Sequence, residues 1–446
     1  MRKIAAVVTV SILAILFVGD SYAQVVGASP ATPVKESSAG RAMDRITFGA
    51  LDCNGGANCP GDPLLGTFVT ATYQNTRLNF NGDITQADVS NSLRQLIATQ
   101  TQTFPSPSTG GGFTFTLKGA PVPVRESELY APLFGERALT NGAKNLSVTF
   151  NVNRLRWRSI NGSDVQNSSE GLLWGDTNYD NAGSGYVGIC RMDITTTSYS
   201  ASGTYGLAER FDVSFAIPII HTSVVGSNEF IDTVQNADGS ISPFRTEGVG
   251  GRYYVDGSST GFGDIGVGAK FAIVRKAEAG AAVAVRTTFP TGSLEDMTGT
   301  GESRTQFEFI GSMEREGFSP HVNIGYVVAT GDLFDEFTYN LGASFRVIPR
   351  RVTLAAELVG RRVFSVATFD STARLGEVTS LYTREVFEVR DFTAQEQDIN
   401  LFFFSFGGKV RMSGKWLASI FAILPAGSSG MQAMRPTLNF GVNYAF

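Results

Sequence analysis

The residues able to carry out nucleophilic chemistry are few. The chain has two histidines, His221 and His321, and neither lies in a recognisable nucleophile motif, although such catalysis needs a histidine within hydrogen-bond distance of its nucleophile. The strand assignments given below put His221 at the outer end of one strand and His321 at the inner end of another, too far apart for one site. We therefore predict no enzyme activity and no cofactor. The alternative, a lipid-cleaving barrel, would depend on one of these histidines.

One loop has the spacing of a hard-cation site. In WGDTNYDNAGSG, the weak candidate ligands Asp176, Asn178 and Asp180 occupy alternate positions, from which oxygen ligands can converge on one ion. Asn181 replaces the glycine that such loops use for their sharp turn, and no bidentate glutamate follows. An Asx-rich turn is therefore favoured over a metal site, and we predict no metal.

The cysteines suggest an oxidising compartment. Cys53 and Cys59 bracket the segment NGGAN and are the obvious disulfide pair for an exported chain. A metal clip is the alternative, but neither a histidine nor a second cysteine pair lies near them in the sequence. Cys190 is expected to be packed in the interior.

The chain ends in a strongly alternating segment, Arg435 to Phe446 (RPTLNFGVNYAF). Leu438, Phe440 and Val442 share one face of an extended strand, and the intervening positions share the other. The apolar face and open edge of such a strand would promote aggregation of a soluble protein. In a closed barrel within lipid, the apolar face meets acyl chains and the edge is paired. The terminal phenylalanine resembles that of bacterial outer-membrane barrels, whose assembly machinery is an expected partner.

The same alternation recurs through the second two-thirds of the chain. It is clear in residues 146–153, 211–219, 265–273, 281–289, 322–328, 337–347 and 352–358, and weaker near 190–203, 304–314, 398–411 and 415–425. With the last segment this gives twelve strands, an even number as bacterial single-chain barrels require. We predict an all-β transmembrane antiparallel barrel of 12 strands. A barrel of 14 is the alternative if Thr67–Tyr73 and Phe113–Leu117 add a pair.

The connections between these strands alternate in length. Short turns (GLAER, KAEAG, REGFSP, IPRR and MSGK) alternate with connections near 159–189, 222–261, 291–303, 332–336, 364–397 and 426–434. Short periplasmic turns and longer outer loops are typical of outer-membrane barrels. A soluble sandwich would also alternate, but its apolar faces would point inward.

The amino terminus and the composition agree with this assignment. Arg2 and Lys3 precede an apolar run from Ile4 to Val18 and a small-residue cleavage site, so residues 1–23 are expected to be a secretory signal peptide. The charged fraction is 17% and the net charge is −5, which gives no basis for nucleic-acid binding. We expect a monomer in the outer membrane of a Gram-negative cell, in contact with its lipid.

About 120 mature residues precede the barrel. Residues 24–44 have no periodicity and are expected to be a flexible linker. A capping box at Thr85 and Asp88 predicts a helix with Val89, Leu93, Leu96 and Ile97 on one face, ending before Phe104. We expect residues 45–145 to fold into the lumen as a plug or hatch, with a periplasmic cap as the alternative, and residues 146–446 to form the barrel.

Two barrel segments resemble a known family. YGLAERFDVSFAIPII (Tyr205 to Ile220) and GFGDIGVGAKFAIV (Gly261 to Val274) look like the signatures of outer-membrane proteins labelled as the putative MetA pathway of phenol degradation, grouped with transporters similar to the long-chain fatty-acid transporter. SLRQLIATQTQTFP and LYAPLFGERALTNG resemble that group's pre-barrel region. The resemblance implies a barrel that transports hydrophobic compounds. The Asn-Pro-Ala triplet of the fatty-acid transporter's hatch is absent near the mature start.

Selectivity of a transporter must arise from its lumen. The strand parity predicts that the following side chains line it: Asp264, Lys270, Arg286, Glu308, Asn323, Asn340, Arg346, Glu357, Arg361, Leu401, Phe403 and Asn439. Most of the charges are expected to pair, because unpaired charges in a plugged lumen are costly. Apolar residues on strands ten and eleven imply either a hydrophobic solute or an apolar plug contact.

The sequence therefore predicts a plug-gated outer-membrane channel for passive uptake of small hydrophobic molecules, either aromatic compounds or fatty acids. No energy source is implied, since a barrel driven from the inner membrane would need about 22 strands. The alternative is a structural or surface-binding barrel that acts through its extracellular loops.

Overall fold

A computed structural model provides the coordinates. It describes residues 34–48, 86–103, 130, 132–157, 159–160, 163–164, 166, 172–175, 184–235, 241–243, 252–276, 278–349, 351–379, 384, 386–413, 416–429, 431–432 and 437–445. Several predictions lie outside the described residues: the signal peptide, Cys53 and Cys59, the loop with Asp176, Asn178 and Asp180, the two additional strands of a 14-stranded barrel, and Phe446.

Nineteen strands and two helices are described. The segments before the barrel are β1 (Val34–Glu36), α1 (Ala39–Phe48) and α2 (Gln86–Thr103). The strands that follow are β2 (Leu146–Trp157), β3 (Ser159–Ile160), β4 (Ser163–Asp164), β5 (Leu172–Gly175), β6 (Ser184–Ala208), β7 (Phe211–Gln235), β8 (Ile241–Pro243), β9 (Arg252–Phe262), β10 (Ile265–Arg275), β11 (Ala279–Phe289), β12 (Arg304–Met313), β13 (Phe318–Ala329), β14 (Glu336–Ile348), β15 (Val352–Thr379), β16 (Val386–Ser413), β17 (Trp416–Pro425), β18 (Met431–Gln432) and β19 (Thr437–Ala445).

Twelve of these strands close into an antiparallel barrel. The ring runs β2, β6, β7, β10 to β17 and β19, and β19 pairs with β2 to close it. Strands β9 and β10 form one pass of the wall, interrupted at Gly263 and Asp264: β9 pairs with the upper part of β7 and β10 with its lower part. The predicted twelve-stranded barrel is confirmed. The short strands β3, β4 and β18 form a separate small sheet.

The outer face of the wall is apolar. Phe215, Phe271 and Phe345 are 47%, 45% and 45% exposed, whereas the polar residues that alternate with them face the interior. The outward belt matches a bilayer, in which no water competes for the paired backbone groups. On β19, Leu438 and Phe440 point outward and Asn439 is buried. The barrel is therefore transmembrane, and the alternation of the last strand has the predicted sense.

Two hairpins extend well beyond the thickness of a membrane. Strands β6 and β7 have 25 residues each, and strands β15 and β16 have 28 each, whereas about 9–11 residues cross a bilayer. Strand β8 pairs with both β7 and β15, and β5 pairs with β6. Much of the predicted loops 222–261 and 364–397 is thus strand. In the outer parts of these strands, both faces of the sheet meet water, so the outward-facing residues are no longer consistently apolar. The backbone pairing between the strands nevertheless continues.

Helix α2 has the predicted position and face. It spans Gln86–Thr103, and Val89, Leu93, Leu96 and Ile97 are buried. The region predicted as a linker contains more structure than expected: β1 pairs in parallel with β9, and Ala39, Met43 and Ile46 of α1 are buried. Helix α1 is short and contains small residues, so its apolar periodicity in the sequence was too weak to distinguish a helix from a flexible linker. No helix among the described residues is long and apolar enough to cross a membrane.

Candidate functional site in the barrel lumen

The segment before β2 crosses the lumen near the short turns. We call residue 130 together with residues 132–145 the floor segment, and the floor segment, β1, α1 and α2 together the plug. The backbone N–H of Tyr130 donates to Thr353 Oγ1 at 3.1 Å, and that of Ala138 donates to Ser312 Oγ at 3.0 Å. The Asn141 N–H donates to Asp212 at 2.9 Å. Side chains from three separate strands thus satisfy the backbone of a segment that has no regular structure.

Glu357 binds the middle of the floor segment. Three successive backbone N–H groups donate to its carboxylate: Leu133, Phe134 at 3.0 Å and Gly135 at 2.8 Å. Asn340 Nδ2 also donates to it, at 2.9 Å. This node unites two predicted lumen residues with a third, because the N–H of Glu136 donates to Asn323 Oδ1 at 3.2 Å. A buried carboxylate is tolerated when several hydrogen bonds satisfy it, as here.

Glu136 of the floor segment meets two predicted lumen cations. Its carboxylate pairs with Arg286, and Lys270 Nζ lies 3.5 Å from it. Glu308 adds a second carboxylate 3.5 Å from Arg286, and Asp212 lies 4.0 Å from Lys270 Nζ. Three carboxylates thus surround two cations across β7, β10, β11, β12 and the plug. Removing either cation would leave buried carboxylates without a partner, at a cost of roughly 3–5 kcal/mol.

Arg137 closes the floor on the turn side. Its guanidinium lies 3.8 Å from Glu314 and donates to the Tyr130 carbonyl at 3.0 Å. Burial lowers the pKa of Arg137, and the Glu314 carboxylate partly opposes this. An arginine remains charged despite such a shift, so it can hold the start of the floor segment and the turn after β12 together.

Arg361 belongs to an ion triad higher in the lumen. Its Nε donates to Glu336 at 2.9 Å, and Arg304 donates to the same carboxylate at 2.6 Å. Glu336 is fully buried. Two guanidinium groups on one carboxylate leave a local excess of positive charge on the inner wall of β12, β14 and β15.

Asp264 occupies the break between β9 and β10. Its carboxylate accepts hydrogen bonds from the backbone of Gly292 at 3.1 Å and Thr300 at 2.8 Å, and it lies 3.3 Å from Gln102 Nε2. The Asp264 N–H donates in return to Gln102 Oε1 at 3.1 Å. The last turn of α2 is thus fixed to the interrupted strand and to the following loop.

Leu401 and Phe403 belong to an apolar surface on β15, β16 and β17. We call the lumen faces of Val359, Leu401, Phe403, Phe421 and Ile423, all buried, the apolar wall. Phe134 of the floor segment packs edge-on against Phe421, with ring centroids 5.0 Å apart and an interplanar angle of 86°. Such a pair contributes about 0.5–1.5 kcal/mol beyond its buried area. The floor segment therefore contacts this patch through an aromatic pair.

A different part of the lumen, on β2, β6 and β7, is lined by hydroxyl groups. We call the inner faces of Ser147, Thr149, Ser198, Ser200, Ser202, Thr204 and Ser214 the hydroxyl wall. A cavity of about 120 Å³ lies against it, beside Gln102, Asp264 and Arg286. The volume is that of several water molecules or one small organic molecule.

Two predicted lumen residues, Arg346 and Asn439, take no part in these nodes. Arg346 lies near the short turn at Gly317. Asn439 is fully buried and its side chain has no hydrogen-bond partner among the described residues. The two histidines lie on different faces of the wall: His221 bonds to Thr260 at 2.8 Å, whereas buried His321 lies 3.8 Å from Glu357. In the part of the chain that the structure describes, no group of three histidine, cysteine or acidic side chains is placed as metal ligands would be.

The sequence analysis missed several residues that hold the plug. Asp212 and Lys409 point inward from β7 and β16, and Lys409 Nζ donates to the Pro132 carbonyl at 2.7 Å. Their parity alone could have identified both. Phe134, Glu136 and Gln102 gave no comparable signal, since their partners lie far away in the chain.

Part of the barrel sequence matches a known protein family. Residues 175–363 match the family described as putative MetA-pathway of phenol degradation. The resemblance drawn from the sequence is confirmed. The match with this phenol-degradation family includes β6 to β14, where both barrel signatures lie, and covers less than half of the chain.

Two solved structures are among those similar to this chain. An outer membrane channel from Pseudomonas putida F1 is 11% identical, with 69% of this chain and 98% of that chain covered and a TM-score of 0.43. A FadL homologue from Pseudomonas aeruginosa is 10% identical, with 76% and 98% covered and a TM-score of 0.32. No curated protein sequence matches the chain.

Proposed function

We propose that the protein is an outer-membrane channel through which small hydrophobic molecules enter by passive diffusion, and that the plug gates it. The observation that carries this proposal is the plug itself: a closed transmembrane barrel surrounds its own preceding segment, whose Glu136 is neutralised by cations of the wall. A barrel with a purely structural role would not need a lumen filled by a separately anchored segment. The proposal includes export by the signal peptide and insertion of a monomer into the outer membrane by the barrel assembly machinery.

The chemistry of the lumen supports an apolar solute. A general porin has a polar lumen, whereas here Leu401, Phe403 and Phe421 form an apolar inner surface. Apolar surface with a few oriented polar groups is typical of sites for small organic molecules. The cavity against the hydroxyl wall supplies space beside the plug, and no energy-coupling element is part of the proposal.

Uptake into liposomes tests the channel. The mature protein and a variant lacking residues 34–142 are reconstituted in vesicles, and entry of a labelled hydrophobic solute is followed against empty vesicles. If the plug is displaced less than a tenth of the time, its deletion should speed entry by about tenfold or more. Resistance of the folded barrel to unfolding in detergent at room temperature serves as the folding control. No entry through the folded, plug-deleted barrel would refute the channel.

A second candidate is a structural or surface-binding barrel. The observation in its favour is the pair of long hairpins, β6 with β7 and β15 with β16, which β8 joins above the membrane. This candidate predicts no solute entry with or without the plug. It also predicts that shortening the hairpins changes adhesion to surfaces while leaving vesicle permeability unchanged.

A further inference from the structure

The apolar wall is unusual because it faces the inside of a membrane barrel. Its side chains come from three adjacent strands. Val359 on β15 lies opposite Phe403 on β16, and Phe421 on β17 lies opposite Gly407, four residues further along β16. Apolar surface that faces a water-accessible lumen is unfavourable unless something covers it. In the structure, the floor segment contributes to this cover together with Leu96 of α2 and with Leu333 and Phe334 of the loop before β14.

A side-chain ring of the floor segment is inserted into this wall. Phe134 meets Phe421 edge-on at 5.0 Å, a preferred arrangement for two aromatic rings. Gly407 lets the neighbouring strand approach closely at this point, since a Cβ at Gly407 would lie 2.3 Å from the Phe421 Cβ. The wall therefore combines aliphatic side chains with one edge-on aromatic contact.

The floor segment is attached to the wall through its backbone. The carboxylate of Glu357 accepts N–H groups from Leu133, Phe134 and Gly135, and Lys409 donates to the Pro132 carbonyl. Rotation of the Phe134 ring about its own side-chain bonds would leave these four hydrogen bonds in place. Insertion of the ring and attachment of the segment are thus separate interactions.

The electrostatics of the site restrict what could replace the ring. Asn340 and three backbone N–H groups of the floor segment already donate to Glu357. Its carboxylate is therefore occupied and does not accept a hydrogen bond from a ligand. A charged ligand would lose its hydration against the apolar wall, at a cost in free energy. A neutral ring avoids that cost.

We propose that Phe134 is an internal placeholder in an aryl-binding slot of the apolar wall, and that a neutral, benzene-sized aromatic solute takes its place during passage. This inference rests on the proposed channel function and names its solute class and its gating contact. When the Phe134 ring leaves, the solute ring packs against Phe421, and the floor segment stays attached through Glu357. The solute and Phe134 compete for one volume.

Truncation of Phe134 tests the slot directly. An apolar cavity of about 150 Å³ lined by leucine, isoleucine and phenylalanine stays dry and binds benzene, and Phe134→Ala should create a comparable space. In the wild-type protein, Phe134 competes with the solute, so the apparent affinity is reduced to the intrinsic affinity multiplied by the fraction of time that the slot is empty. Removing the Phe134 ring removes this reduction. We expect Phe134→Ala to bind fluorobenzene, followed by ¹⁹F NMR in detergent, at least about tenfold more tightly than the wild-type protein.

Two further variants make the result specific. Phe440→Ala removes a ring that faces lipid, so it should match the wild-type protein and corrects for fluorobenzene dissolved in detergent. Adding Phe421→Ala to Phe134→Ala removes the edge-on partner and should weaken binding several-fold. Fluorocyclohexane should compete poorly with fluorobenzene if the slot prefers a ring with π-electrons.

The outcomes separate this inference from the channel proposal. If Phe134→Ala does not fold, Phe134→Leu carries the test, with a smaller expected gain in affinity. Fluorobenzene binding by folded Phe134→Ala or Phe134→Leu that equals Phe440→Ala overturns the slot, even if the plug-deleted barrel admits solute. Tight binding without solute entry through the plug-deleted barrel would leave the slot standing and remove the channel.

Discussion

The two sides of the lumen face the same plug in different ways. On one side, the apolar wall packs against Phe134 and Leu96 of the plug within one hydrophobic cluster. On the other, the hydroxyl wall borders a cavity of about 120 Å³. The plug is fitted closely to the side that can hold an aromatic ring and loosely to the side that can admit water or a small solute. The comparison implies that the affinity for solute and the space for its movement are located on different walls.

The largest expected effect comes from the carboxylate that ties the plug to the apolar side. Glu357→Gln keeps the shape of the side chain but turns one oxygen into an N–H₂ group facing backbone donors. Loss of a charged, buried hydrogen-bond node should destabilise the floor segment by about 3 kcal/mol. Amide hydrogen exchange of residues 133–142 measures the change, and Glu302→Gln, on an outer loop, is the control. Unchanged protection of the floor segment in Glu357→Gln would show that Glu357 does not hold it.

Two glycines, Gly135 and Gly266, allow the tightness of packing on the two sides to be compared. A Cβ at Gly135 would lie 2.5 Å from His321 Cδ2 and 3.0 Å from Asn323 Oδ1, whereas a Cβ at Gly266 on the cavity side has no neighbour nearer than 3.6 Å. Gly135→Ala should therefore cost about 1–3 kcal/mol, as overpacking does. Gly266→Ala should change stability by less than about 0.5 kcal/mol. Denaturant unfolding compares them, and equal costs would mean that the two sides are equally tight.

The smallest effect on stability should accompany a clear effect on passage. Ser200→Leu places an apolar side chain into the cavity and should leave the free energy of unfolding within about 1 kcal/mol of the wild-type value. It should slow solute entry into liposomes several-fold, because it occupies the space beside the plug. Ala355→Leu, in the packed apolar cluster, is the matched variant and should lose stability instead. Entry at the wild-type rate through Ser200→Leu would exclude the cavity from the path.

Much of the barrel could be predicted because lipid imposes a simple rule on each strand. Outward positions such as Phe271 and Phe345 must be apolar, so parity alone assigned the inward Lys270 and Glu357. Helix α2 was predictable for the same local reason, since its capping box and buried face lie within one short segment. The 25- and 28-residue strands were cut short because parity carries no signal once both faces are in water.

The contacts that hold the plug could not be predicted in the same way. Phe134 and Phe421 are in contact although most of the chain separates them in sequence. The segment LYAPLFGERALTNG has no apolar repeat with a period of two or of 3.6 residues. Its backbone is satisfied by side chains such as Asp212 and Ser312, whose register is fixed by the complete ring. Sequence parity gave the inward residues but not their partners.

The pairing of β2 with β19 has a consequence for biogenesis. Every other contact between neighbouring barrel strands joins consecutive passes of the chain, whereas this one joins the first pass to the last, with Phe150 opposite Val442. The ring therefore cannot be completed until the final strand has been delivered. The plug precedes β2 in the chain, so it is available before that moment and can be enclosed as the circle forms. Assembly of the wall and loading of its interior are then a single event, with no need to thread the plug into a finished barrel.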